Sequence, residues 1–383
     1  MPTQPEVLAI EEAHRAAQAR LGIAGAYLAI RDWNSVSATA AAATADQWLS
    51  RNLQMLRAIQ RKSGRLAKAY YQLARAIETG YSLGLPETSA DPEQVTMGDL
   101  RKQFLDLMLE IADIDKPTSA SSNDSDERWL EDELRRNPSV ANPLPSREIN
   151  LNEIDSYIQD WLDAPTEIED KTELEIDDFD WLDFSADEDR AREELEKQLL
   201  DVIDTRTEKV VKIADSEELS AKEAQGKIEK LHGDTGSIVA GLIDQAGMDA
   251  GRNILGHATR SDRRALMIAR MTGPNPCAFC SMLSSRGFVY RSKQSAILSG
   301  NEIEKYHPNC HCFAVTRWAD IPDPTAPGRA QFYMDAWERE VGRKYERRGT
   351  SNDALNQWRR FIYKENRARL NRIRQDVNAG ILV

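Results

Sequence analysis

The chain has 383 residues, 41% hydrophobic, 30% charged and 7% aromatic, with a formal net charge of −13. That length allows two or three domains with their own cores, and that composition predicts a polar, helix-rich protein rather than a fibrous one. No apolar run approaches the roughly 18 residues of a membrane span, and Met1-Pro-Thr-Gln-Pro-Glu6 has neither the basic nor the apolar part of a signal peptide. The expectation is a protein made and kept in a reducing cytoplasm.

The charge is segregated. Residues 146–200 hold about 20 acidic against 5 basic residues, whereas 343–374 hold about 11 basic against 3 acidic. One acidic segment and one basic tail therefore matter more than the total.

The fold class read from the pattern is mainly α. Residues 1–117 form a helical N-terminal region. Leu49, Leu53, Leu56 and Ile59 make one stripe, and Leu66, Tyr70, Leu73 and Ile77 continue it up to a stop at Gly80. The Ala-rich stretch before Trp48 favours helix and close packing. A further amphipathic helix is predicted from Met97 to about Ile114, with Leu100, Phe104, Leu107 and Ile111 inward.

Residues 118–185 read as an acidic linker or interaction segment. Its Ser/Asn/Asp-rich start and its prolines at 138, 143, 145 and 165 discourage long helices. Trp161, Phe179, Trp181 and Phe184 stand among carboxylates. The segment is either a solvated, mobile spacer or a stretch whose aromatic residues dock on a partner.

Helix is predicted to return near Ala186 and to run, with breaks, to His257. Leu195, Leu199 and Val202 start one stripe, and Ile238, Leu242 and Ile243 belong to a later one. Ser261-Asp-Arg-Arg264 reads as the capped start of a short helix through Leu266 and Ile268. After the stiff connector Ile321–Pro327, a basic helical tail (321–383) is expected. One of its helices carries Phe332, Trp337, Val341 and Tyr345, the other Leu355, Trp358 and Ile362, with Leu370 and Ile373 continuing it.

All four cysteines lie between 277 and 312: Cys277-x2-Cys280, a gap, then His307-x2-Cys310-x-Cys312. A secreted domain spreads its cysteines to close several loops. Two close pairs with a histidine suit a tetrahedral metal instead. The candidate ligands are Cys277, Cys280, His307, Cys310 and Cys312, with His311 a sixth. Favoured are Cys277, Cys280, His307 and one of the last two thiols. An extended backbone would point Cys310 and Cys312 to one side and His311 away, whereas a tight turn would bring His307 to Cys310. His14, His232 and His257, in polar helical contexts, read as ordinary surface residues.

The metal expected is a structural zinc. Pro276-Cys-Ala-Phe-Cys280 matches one half of a zinc deaminase site, but such enzymes need an upstream His-x-Glu. No histidine here is followed by x-Glu. No phosphate-binding Gly loop and no Gly-x-Ser-x-Gly elbow occurs either, so the reading is of a protein without enzymatic activity.

The run from Ala269 to Tyr290, with Cys277, Cys280 and Arg286-Gly-Phe288, followed by Tyr306-His-Pro-Asn-Cys-His-Cys312, closely resembles the MuF-like minor capsid proteins of tailed bacteriophages. The resemblance covers about residues 190–320, within a module drawn as 186–320 that holds a small zinc-stapled loop and β region. It implies a virion protein of the capsid interior near the portal, acting in head morphogenesis and touching the portal or major capsid protein. The residue between the last two cysteines is commonly basic or variable in that family, which argues against His311 as a ligand. A separate reading, from charge alone, is a zinc-stabilised nucleic-acid-binding protein whose basic C-terminal helices contact packaged DNA.

Overall fold

The computed structural model describes residues 4–39, 45–87, 94–112, 129–130, 158–163, 168–182, 185–273, 276–288, 310–318, 328–342 and 352–378. The protein is mainly helical. Its elements in chain order are α1 (Gln4–Asn34), α2 (Ala45–Thr79), β1 (Tyr81–Leu83), α3 (Met97–Ala112) and β2 (Glu175–Asp177). They continue with α4 (Ser185–Ala214), α5 (Ala221–Ser261), β3 (Met267–Met271), α6 (Ala278–Ser284), β4 (Phe313–Arg317), α7 (Ala330–Glu340) and α8 (Asn352–Asn378). No helix among the described residues is long and apolar enough to cross a membrane.

The centre is a layer of three long helices. Ala16, Ala17, Ala19, Leu21, Ile23 and Ala24 of α1 are all buried, so this helix is enclosed on every side rather than along one stripe. The predicted stripes of α2 and α3 face the same core, with Leu49, Leu56, Ile59, Leu66, Tyr70, Leu73, Leu100, Phe104, Leu107 and Ile111 inside. Helix α2 stops at Thr79 because Gly80 takes a left-handed conformation, φ +75°, and its N–H returns to the Ala76 carbonyl. Helix α5 has a full capping box at Ser220 and Glu223 and contributes Val239, Ile243, Met248 and Leu255 to the core. Ile238, placed with Ile243 in the sequence pattern, is instead exposed.

One core joins segments drawn apart along the sequence: it runs from Ile10 through α2, α3, α4 and α5 to Phe313 and Trp318. It also takes in described parts of the acidic segment. Ile158, Trp161 and Leu174 are buried, and Trp161 packs edge-on against Phe104. Strand β2 pairs in parallel with β1, Tyr81 opposite Glu175. Asp177 binds both Arg75 and Arg264, and those hydrogen bonds, Arg264's first, hold its carboxyl below the usual range despite partial burial. Asp170 binds Arg101 at 2.9 Å. The spacer reading therefore fails for 158–163 and 168–182: Ile158, Trp161 and Leu174 pack into the core, and Asp170 and Asp177 are answered by arginines from α3, α2 and the turn after α5. The aromatic residues expected to seek a partner dock on this chain, Trp181 donating to the Leu83 carbonyl at 3.3 Å. Phe184 lies outside the described residues.

Two further expectations change. The helix predicted from Ser261 is the end of α5 followed by β3, with Asp262 as the C-cap. β-branched and long apolar residues there answer a strand partner 46 residues away, which no local pattern reveals. His14 is buried, stacked on Tyr70 at 4.2 Å with Phe313 edge-on at 5.2 Å, and burial holds its pKa down at about 3. His232 stacks on Trp33, and burial lowers its pKa too.

Helices α7 and α8 build a separate small core, with Tyr333, Ala336, Val341, Ala354, Trp358 and Ile362 buried together. Val341, Trp358 and Ile362 were expected there. Tyr345 and the side chains of Leu370 and Ile373 lie outside the described residues, as does most of the Ala-rich stretch before Trp48.

Candidate metal centre

The two halves of the cysteine motif are brought together by an antiparallel strand pair. Met271 at the end of β3 lies opposite Phe313 at the start of β4. The chain leaving β3 leads to Cys277 and α6, while the chain entering β4 is Cys310-His311-Cys312. Strand register thus sets the thiols face to face.

The sulfur atoms of Cys280, Cys310 and Cys312 lie within 4.8 Å of one another, all three residues buried. The Cys280 and Cys310 sulfurs are 3.6 Å apart, a contact between free thiols and not a disulfide. Cys277 is the N-cap of α6; its sulfur accepts from the Cys280 backbone N–H at 3.3 Å and touches the Cys280 thiol. The Gly273 N–H points at the Cys312 sulfur at 3.3 Å. Two backbone N–H groups aimed at sulfur favour thiolate over thiol.

The cluster is electrostatically uneven. Contacts with Cys277, Cys310 and Cys312 and burial push the Cys280 thiol up. Cys310 is pushed well down, because Cys280 and Cys312 donate to it and Arg252 lies beside it. Arg252 also donates to the Cys310 carbonyl while its guanidinium lies over the Phe313 ring.

His311 turns away from the thiols. Its Nε2 meets Asp244 Oδ1 at 3.1 Å, both groups buried. The extended alternative for this stretch thus holds: residues 310 and 312 face one side and 311 the other. Both Cys310 and Cys312, not one of them, lie beside Cys280. His307 lies outside the described residues. His311 is not in the cluster.

Sequence reasoning missed Asp244 and Arg252, eight residues apart on one face of α5, which hold the second half of the motif from behind. Their signal was a charged residue repeated within the small-residue run Gly241, Gly247, Gly251 of α5. Gly22 of α1 completes this support: a Cβ there would sit 2.1 Å from Asp244 Oδ1, so only glycine leaves room for the carboxylate that holds His311.

Three buried, soft thiol donors at this spacing can hold a metal ion, with one backbone N–H aimed at Cys312 and another at the neighbouring Cys277. A family model described as VG15 protein, a phage-associated family, matches residues 179–340. The match starts within the acidic segment and ends with α7, so it reaches beyond the stretch whose motifs carried the resemblance and encloses the whole cysteine cluster. It supports a phage protein. No curated protein matches the chain. No solved structure matches it either.

Proposed function

We propose that the chain is a structural minor capsid protein of a tailed phage, placed inside the head near the portal and acting in head morphogenesis by contact rather than turnover. The observation that carries this reading is the phage-family match spanning the cysteine cluster, together with the MuF-like motif at the same residues. The cluster serves as a closed zinc staple. Cys280, Cys310 and Cys312 supply three ligands, and Cys277, next to Cys280, the fourth. Zinc suits an all-sulfur tetrahedron, and four protein ligands leave no position at which a water could be activated. His311, fixed against Asp244, is a support for the loop rather than a base. The portal or major capsid protein is the partner.

The test is the protein content of purified virions compared with DNA-free ghosts, with complementation by two variants. The protein is expected in both particle types at low copy number. Cys280→Ser should fail to complement, while His311→Ala should be incorporated and leave particles infectious. Absence of the protein from purified virions overturns the capsid reading. Dead particles carrying folded, zinc-loaded His311→Ala protein overturn the non-catalytic one.

A further inference from the structure

Helix α8 presents one apolar and one cationic face. Its inner side packs Ala354, Trp358 and Ile362 into the C-terminal core. Its outer side carries Arg359, Arg360, Tyr363, Lys364 and Arg367, all exposed, Tyr363 at 69%. Among the described residues Arg360, Lys364 and Arg367 have neither an ion pair nor a hydrogen bond, and Arg359 reaches only Asn356, at 3.1 Å. In the helical core, by contrast, arginines meet carboxylates: Arg75 meets Asp262 and Asp177, Arg101 meets Glu6 and Asp170, and Arg317 meets Glu11 and Glu78. The chain has a net charge of −13, yet among the described residues no carboxylate pairs with Arg360, Lys364 or Arg367.

The spacing is regular. Arg360 and Arg367 are seven residues apart, and the sequence repeats that step at Arg374 within the same helix. Seven residues are two turns, so these positions fall in one line at intervals of roughly 10 Å. The helix is also held at a fixed angle. Trp358 Nε1 donates to the Ala278 carbonyl at 3.0 Å and Asn366 Nδ2 to the Pro276 carbonyl at 2.9 Å, one on each side of Cys277. The cationic line is thus anchored to the frame of the cysteine cluster.

We propose that this outer face of α8 binds the phosphate backbone of double-helical DNA, without reading its sequence. Independent of the capsid reading, the proposal rests on charge, spacing and exposure. A straight row of cations fits a stiff polymer carrying one charge per about 1.7 Å of axis. A protein partner would need an apolar centre to the interface, and this face offers one exposed ring. Release of counterions from the duplex drives such binding and makes it salt-dependent.

The experiment is fluorescence anisotropy of the full, zinc-loaded chain with a mixed-sequence DNA duplex of about 20 base pairs over a salt series. Wild type should bind with a slope of log K against log salt of about −2.7 or steeper, reflecting three or more phosphate contacts. The triple variant Arg360→Gln, Lys364→Gln, Arg367→Gln should lose on the order of tenfold or more in affinity at low salt. Its slope should flatten by about 2.7, at unchanged helix content. A control with the same charge loss on exposed positions of α4 and α5, Lys209→Gln, Lys212→Gln, Lys230→Gln, should keep the wild-type slope. The proposal is overturned if wild type shows a slope shallower than about −1, or if the control loses as much as the α8 variant. It is equally overturned if polyglutamate competes as well as duplex at equal charge, which would point to an acidic protein instead.

Discussion

The helical core and the cysteine module are held by different forces. The core buries apolar side chains from α1, α2, α3, α4 and α5 in one continuous cluster. The strand pair that carries the cysteines reaches that core through Phe313 and, among the described residues, adds a small cluster of Ala269, Met271 and Val315, with Phe288 against it. At about 1.5–3 kcal/mol for each large side chain buried, three residues cannot fix an irregular loop region. Sulfur fills the place that apolar area fills in the core: Cys280, Cys310 and Cys312 pack together with Cys277 and Phe279. A region held by area should loosen gradually under mutation, whereas one held by a cross-link should fail in a single step.

The largest expected effect tests that difference directly. Zinc binding to such a site contributes on the order of 10 kcal/mol to local folding. Cys280→Ser, or a strong chelator, should remove about one zinc per chain. Amide protection should collapse over residues 267–288 and 310–318, while α1, α2 and α5 keep theirs. Metal analysis and hydrogen exchange read both outcomes. Cys277→Ser should lose zinc as Cys280→Ser does, and His307→Ala should retain it if Cys277 is the fourth ligand. Unchanged protection of the strand pair after metal removal would erase the contrast between the two regions.

Next in size is the joint between them. Asp262, buried at the end of α5, accepts from Arg75 at 2.9 Å, from Tyr71 at 3.3 Å and from Trp318 at 2.7 Å. It ties α2 to the residue that follows β4. Asp262→Ala would leave the Arg75 guanidinium, itself 1% exposed, short of its main partner inside the core. Breaking a buried pair from one side costs about 3–5 kcal/mol. Unlike loss of zinc, this should lower the denaturation midpoint of the whole molecule in one transition. Two separate transitions would mean that Asp262 belongs to the cysteine module alone.

What could be read from the sequence follows the same division. The stripes of α2 and α3 and the Gly80 stop are local signals that the structure places as expected, and the two halves of the cysteine motif meet. Strand β3 was read as helix because its pairing with β4 is set 46 residues downstream. The acidic segment was read as repulsive because the arginines that answer Asp170 and Asp177 lie on distant elements. Alternation along 310–312 separated His311 from the two thiols, but nothing local showed that both thiols would meet Cys280. Asp244 and Arg252 look like ordinary charges of a surface helix until α1 and the strand pair close over them. Periodicity reports one partner surface per element, so residues that serve two surfaces escape it.

His14 gives the smallest and most selective test, because it lies where the two regions touch: stacked on Tyr70 of the core and edge-on to Phe313, the residue after Cys312. Burial, reinforced by Arg15, holds its pKa at about 3, well below the 6.5 of an exposed histidine. The unfolded chain therefore binds a proton between those values that the folded chain refuses. Stability from this source is fully present above pH 6.5 and is lost as pH falls, by about 1.4 kcal/mol per unit. Between pH 7 and pH 5 the loss should reach about 2 kcal/mol. The deeply buried Glu11 and the partly buried Asp249, whose carboxyls desolvation pushes up, act in the opposite direction. They are common to wild type and variant and cancel in the difference. His14→Gln keeps a polar partner for Gln18, which lies 3.2 Å from the His14 ring nitrogen, but removes the titration. The variant's midpoint should fall less between pH 7 and pH 5 than that of wild type, whatever its stability at pH 7. Parallel pH dependences would show that the ring is protonated in the folded protein, and that the contact between core and cysteine module opens to water.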